Sequence, residues 1–177
     1  MIAFKNIILT TDLSDNALAA APYAAELARQ SKGTVYLLHV FEDSAYASDL
    51  ASSDMLGFDP AAVEAAAVAE RKARLQAWVE KIPGRENIKI VPVLKKGHAV
   101  EMILNEAKEV QADILVIATH GRTGLAHFLS GSVAEKIVRL SACPVLTVRP
   151  AALELNLAHG SFAPGAPKRN GNGRRAS

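Results

Sequence analysis

The chain is expected to fold as an α/β domain, a single five-stranded parallel sheet with helices on both faces. Three observations predict this. Short, β-rich apolar runs alternate with helical segments along the chain. Five strand segments separated by helices imply right-handed crossovers and hence one parallel sheet. The run Ala112–Thr119 (ADILVIAT) is nearly all apolar, as a strand covered on both faces requires.

Phe4–Thr11 (FKNIILTT) reads as the first strand, and Ser14–Gln30 follows with apolar residues at helical spacing. Pro22 would cost about 3 kcal/mol in an unrelieved helix interior, so a kink or a very early position is expected there. Gly33 introduces the second strand, Thr34–Phe41 (TVYLLHVF). The stretch Glu42–Asp59 is acidic, Ser-rich and too long for an ordinary connection, which suggests a lid or mobile loop. Pro60–Ile82 reads as an Ala-rich helix stopped by Pro83-Gly84. The third strand, Asn87–Leu94, contains Pro92, which suggests a sheet edge. A helix from His98 to Val110 leads to the fourth strand, Ala112–Thr119. Ser132–Leu140 is the last helix and Pro144–Val148 the fifth strand.

Residues 1–150 are expected to form one domain. Residues 151–177 read as a C-terminal extension, a short ordered segment followed by a disordered basic tail. Of the 177 residues 50% are apolar and 21% charged, enough for a real core and against wholesale disorder. Residues 1–150 hold 16 Lys and Arg against 17 Asp and Glu, net −1; residues 151–177 hold 4 against 1, net +3. The domain is thus nearly neutral and the tail carries the basic charge. With only nine aromatic residues, the chain lacks the footprint of a nucleic-acid binder. No apolar run reaches the roughly 18–20 residues of a membrane span, and no secretory signal is visible at Met1–Asn6. The lone Cys143 cannot build a disulfide framework. No membrane insertion and a cytoplasmic location are therefore expected.

In open parallel sheets, ligands sit beyond the carboxyl ends of the strands where the strand order reverses. Thr10-Thr11-Asp12, His39-Val40-Phe41 and the run after the fourth strand should converge there. That run is Ala118-Thr119-His120-Gly121-Arg122-Thr123-Gly124, followed after six residues by Gly131-Ser132-Val133. Gly121 and Gly131 let backbone N–H groups approach an anion, and the helix opening at Ser132 adds unpaired donors and partial positive charge. Together they suggest a phosphate cradle. Neither a Walker loop nor a dinucleotide fingerprint is present.

Structural roles compete at several of these positions. Ser132-Val133-Ala134-Glu135 also fits a capping box, and one hydroxyl can serve both the helix and a phosphate. Gly124 also reads as a turn glycine. Arg122 would lie beside the phosphates, solvated when no ligand is bound. His120 has no nucleophile to serve and reads as an exposed loop residue rather than a base. Asp12 would accept from ribose hydroxyls or help to hold Mg²⁺ through water, or else cap the next helix. Val40 offers its strand-end backbone to an adenine edge. His39 reads as a satisfied core histidine, Cys143 as a buried inert thiol, and His98 and His127 have no metal-like companions.

The segments TTDLSDNA, LLHV and ATHGRTGLAHFLSGSVAEKIVRLSACPVLTVRP, in this order, resemble the universal stress protein family over roughly residues 1–150. The resemblance implies strand order 3-2-1-4-5 in an adenine nucleotide alpha hydrolase-like sheet. It also implies a homodimer, commonly through the last strand, and in one branch ATP binding. That branch carries G-x2-G-x9-G-[S/T], which falls on Ala118, Gly121, Gly131 and Ser132, with alanine in place of the first glycine. The remaining contacts carried over are Thr11, Asp12, the Val40 backbone, and Ile117 and Val133 flanking the glycines. His120 and Arg122 complete the expected nucleotide-binding set.

The function expected first is an ATP-binding regulatory module of the stress response, with Mg²⁺ accompanying the nucleotide. No catalytic residue is assigned. A slow ATPase and a partner-binding module with a vestigial pocket stand as alternatives, and Ala118 and the tail favour the latter. A proline at Leu146 is expected to remove an edge donor and shift a dimer towards monomer.

Overall fold

The computed structural model describes residues 3–42, 60–119 and 133–150. It contains a five-stranded parallel sheet, β1 (Asn6–Thr11), β2 (Thr34–Phe41), β3 (Lys89–Lys96), β4 (Ile114–Ala118) and β5 (Val145–Val148), in the order β3-β2-β1-β4-β5. The helices are α1 (Ala21–Ser31), α2 (Pro60–Val79), α3 (Ala99–Glu109) and α4 (Val133–Leu140). The suggested lid at 42–59 and the tail at 151–177 fall, but for Glu42, outside the described residues.

Strand alternation divides the core into two layers. Ile7, Leu9, Val35, Leu37, Ile114 and Val116 face α1 and α2. Ile8, Leu38, Leu115 and Ile117 face α3 and α4. Their near-total burial explains why these strands read as continuous apolar runs rather than alternating ones. Helix α1 buries Ala21, Ala24, Ala25 and Ala28, a stripe whose small side chains let it lie close on the sheet. The buried residues at the end of α2 and just beyond it, Leu75, Trp78, Val79 and Ile82, follow the same spacing.

The first helical segment is split. Asn16–Ala20 is a 3₁₀ turn, and α1 begins only at Ala21, so Pro22 sits in the first turn. There its missing N–H removes no intrahelical bond. At the far end Lys32 takes the left-handed conformation (φ 49°), and Gly33 N–H donates to Ala28 C=O at 2.9 Å. Gly33 is required by proximity, because a Cβ there would lie 2.3 Å from Phe4 C=O. The third strand starts two residues later than its sequence suggests, because Arg85–Asn87 forms a 3₁₀ turn. Pro92 does lie in an edge strand.

Ladder parity corrects the expectation for Leu146. Leu115 N–H donates to Pro144 C=O at 3.0 Å and Thr119 N–H to Val148 C=O at 2.9 Å. Even-numbered residues of β5 therefore direct their backbone groups towards β4, and the outward donors belong to Val145 and Thr147. A proline at Leu146 would break the sheet itself. If β5 is the surface through which two copies pair, Thr147→Pro is the variant that should move sedimentation towards monomer with little change in melting temperature.

Candidate functional site

The carboxyl ends of the strands are held differently on the two sides of β1. β1 pairs with β2 along its whole length, to Thr11↔His39. Against β4 the register runs from Ile7↔Ile114 to Leu9↔Val116 and stops, although the strands continue to Thr11 and Ala118. β4 stays with β5 as far as Ala118↔Val148. The sheet thus parts between β1 and β4, where the strand order reverses. At the opposite end the two strands are fastened. Asp113 Oδ2 accepts Lys5 N–H at 2.6 Å and Asn6 N–H at 2.8 Å, and Asp113 N–H donates to Asn6 C=O at 2.8 Å.

Beyond β1 the chain bends sharply. Thr11 Oγ1 accepts Leu13 N–H at 2.9 Å, and Asp12 Oδ1 accepts Ser14 N–H at 3.0 Å and the Ser14 hydroxyl at 2.5 Å. These two side-chain turns hold Leu13 at φ 65°, a conformation that costs a residue with a Cβ roughly 1–2 kcal/mol. Ser14 Oγ accepts Ala17 N–H at 3.3 Å, so the Ser14 side chain reaches the following 3₁₀ turn, whose N-cap position is Asp15. Asp12 stays half-buried just beyond the end of β1.

Val40 presents its backbone to the same side. The bond from Thr34 N–H to Lys5 C=O at 2.8 Å and that from Gly97 N–H to Phe41 C=O at 2.9 Å set the parity of β2. By that parity the Val40 N–H and C=O face β1. The register Thr11↔His39 places the N–H on Thr11 C=O, which His39 Nδ1 also meets at 2.8 Å. The next β1 donor in line for the Val40 carbonyl is Leu13 N–H, which Thr11 Oγ1 takes. Of the two Val40 groups, the carbonyl is therefore the one turned beyond the end of β1. His39 is the satisfied core histidine its surroundings suggest.

The Ala118 methyl packs against the cluster on the α1 side of the sheet. An alanine in the first glycine position of the motif is accommodated by core contact. Ala118→Gly is expected to leave nucleotide affinity within about twofold while lowering stability by about 1 kcal/mol, as calorimetric and thermal titrations would show. Ile117 is buried on the opposite face against Ala134 and Ile137, and Val133 opens α4 with partial exposure. Among the expected contacts Thr11, Asp12, Val40, Ile117 and Ala118 lie at or just beyond the carboxyl ends of their strands, and Val133 lies at the start of α4. His120, Gly121, Arg122, Gly131 and Ser132 lie outside the described residues. Cys143 is half-buried rather than buried, its N–H donating to Ser141 Oγ at 3.3 Å.

Sequence reasoning missed a charged cluster beside Val40. Lys95, the register partner of Val40, holds its Nζ 2.9 Å from Glu106 Oε2 and 2.8 Å from Glu109 Oε2. The Glu106 contact is an ion pair without hydrogen-bond alignment, and Glu106 is buried. Glu106 and then Glu109 raise the Lys95 pKa, and Lys95 draws that of Glu109 below its ordinary value. The Glu109 contribution is present above the ordinary carboxylate range and is lost as pH falls through its lowered value. The Lys95 contribution is present below the ordinary lysine range and is lost as pH rises through its raised value. The network secures α3 to β3 across neutral pH. The spacing Glu106-x2-Glu109 was its only sequence signal.

The universal stress protein family model matches residues 3–149. The chain belongs to the universal stress protein family. It is 31% identical over 146 residues to universal stress protein MJ0531 of Methanocaldococcus jannaschii, covering 82% of each chain. Among solved structures, hypothetical protein MJ0577 matches with a TM-score of 0.68 at 24% identity, over 84% of this chain and 97% of that one. A universal stress protein crystallised in complex with cAMP matches with a TM-score of 0.63 at 23% identity, over 84% and 99%. These structural likenesses establish the shared fold. Among the described residues, no helix is long and apolar enough to cross a membrane, and no three His, Cys, Asp or Glu are grouped to hold a metal ion.

Proposed function

We propose that this universal stress protein binds ATP in the crevice between β1 and β4 and acts as a nucleotide-dependent regulatory module of the stress response. The parting of β1 from β4 at the switch point carries this reading. Asp12 follows the end of β1 beside that opening, and the Val40 carbonyl turns beyond the end of β1 from the β2 side. The Val40 carbonyl is suited to accept from the adenine amino group, and Asp12 from ribose hydroxyls. Thr11 shapes the bend that presents Asp12. Ile117 and Val133 flank the nucleotide, and Gly121, Gly131 and Ser132 cradle its phosphates, with His120 and Arg122 beside them. A structural neighbour bound to cAMP supports an adenine nucleotide as the ligand class.

Mg²⁺ would arrive with the phosphates of the nucleotide. Asp12 is suited to help hold it, through water. No residue is assigned to catalysis. Two copies pair through β5, and the protein works in the cytoplasm. The inward packing of the Ala118 methyl removes one argument for a vestigial pocket. Mass spectrometry of nucleotide released from gently denatured protein tests the reading. Copurified ATP is the expected result; ADP or AMP would point to slow hydrolysis, and an empty pocket to a partner-binding module.

A further inference from the structure

We propose that α2 positions the nucleotide site, with Trp78 acting as a positioning residue for Asp12. This rests on the ATP site proposed above and names the element that holds it in shape. Trp78 is the only tryptophan in the chain and is 2% exposed. Its Nε1–H donates to Ser14 C=O at 3.3 Å, across 64 residues of sequence. Ser14 in turn donates both its N–H and its hydroxyl to Asp12 Oδ1. The indole therefore acts on the carboxylate through one intervening residue.

The same helix also reaches the adenine side. Arg71 lies with its guanidinium 4.7 Å from the centre of the Phe41 ring, and Phe41 directly follows Val40. Residues 71 and 78 are seven apart, about two turns, and so share one helix face. One rigid element thus braces the segment that carries Asp12 and the segment that carries Val40. The ion pair between Lys81 Nζ and Asp15 Oδ1 at 3.1 Å extends the first brace, although its exposure makes it weak. Packing at position 78 calls for a large apolar side chain but not for a donor. The indole donor adds a contact to Ser14 that packing alone does not need.

The test is a double-mutant cycle, with ATP titrated calorimetrically into wild type, Trp78→Phe, Asp12→Ala and the double variant. Trp78→Phe keeps a buried ring and removes the donor. It should weaken ATP binding about fivefold, as loss of one positioning hydrogen bond predicts, and should cost nothing further in the Asp12→Ala background. A purely structural role predicts equal losses in both backgrounds, and that outcome, or wild-type affinity in Trp78→Phe, overturns the inference. If Trp78→Phe does not fold, the indole itself supplies the readout in wild type. Saturating ATP should change its emission, and unchanged emission with calorimetric binding present overturns the coupling. A wild-type protein that does not bind ATP overturns the site reading first and this inference with it.

Discussion

Replacing Gly131 by valine should abolish ATP binding and leave the cooperative melting transition in place. The expectation rests on the proposed phosphate cradle. Backbone N–H groups at the start of α4 can meet phosphate oxygens only where no side chain stands between them, and a β-branched residue fills that space. The fold should survive, because the cores on both faces of the sheet are built by strand residues and by helix residues elsewhere. Equilibrium binding alongside circular dichroism checks both halves. A folded Gly131→Val protein with affinity within about twofold of wild type would place the phosphates elsewhere.

Asp12→Ala should weaken ATP binding by roughly 1.5–3 kcal/mol, about 10- to 150-fold, the range of a hydrogen bond to a charged group. The variant should also discriminate poorly between ATP and its deoxy analogue, since the group that reads the ribose is gone. Stability should fall as well, because Asp12 Oδ1 accepts two hydrogen bonds from Ser14. The two effects separate by measurement. A lowered melting temperature with unchanged ATP affinity would assign Asp12 to the bend alone.

The strands were legible because burial on both faces leaves an unmistakable apolar run, and Thr34–Phe41 matches its sequence pattern at both ends. Boundaries were less legible where local hydrogen bonding competes with periodicity. The Ser14–Gln30 pattern hides a 3₁₀ turn, and only Pro22 signalled that the α-helix starts late. At the site, Asp12 and Val40 were legible as strand-end residues. The direction of the Val40 carbonyl was not, because it depends on ladder parity between distant strands. The bond from Ala17 N–H to Ser14 Oγ was equally hidden: Asp12 and Ser14 are both residue types that bond nearby backbone, and only geometry shows which groups each one meets. Trp78 and the Lys95–Glu106–Glu109 network act across the fold through contacts that no local pattern records.

The most direct test of nucleotide binding at the β1–β4 crevice is a calorimetric titration of nucleotide-free wild-type protein and Asp12→Ala with ATP in the presence of Mg²⁺. Saturable binding of one ATP per chain is predicted for the wild type, with affinity at least about tenfold weaker in Asp12→Ala. Absence of saturable heat in the wild type, or equal affinity in the two proteins, would contradict an ATP site at this crevice.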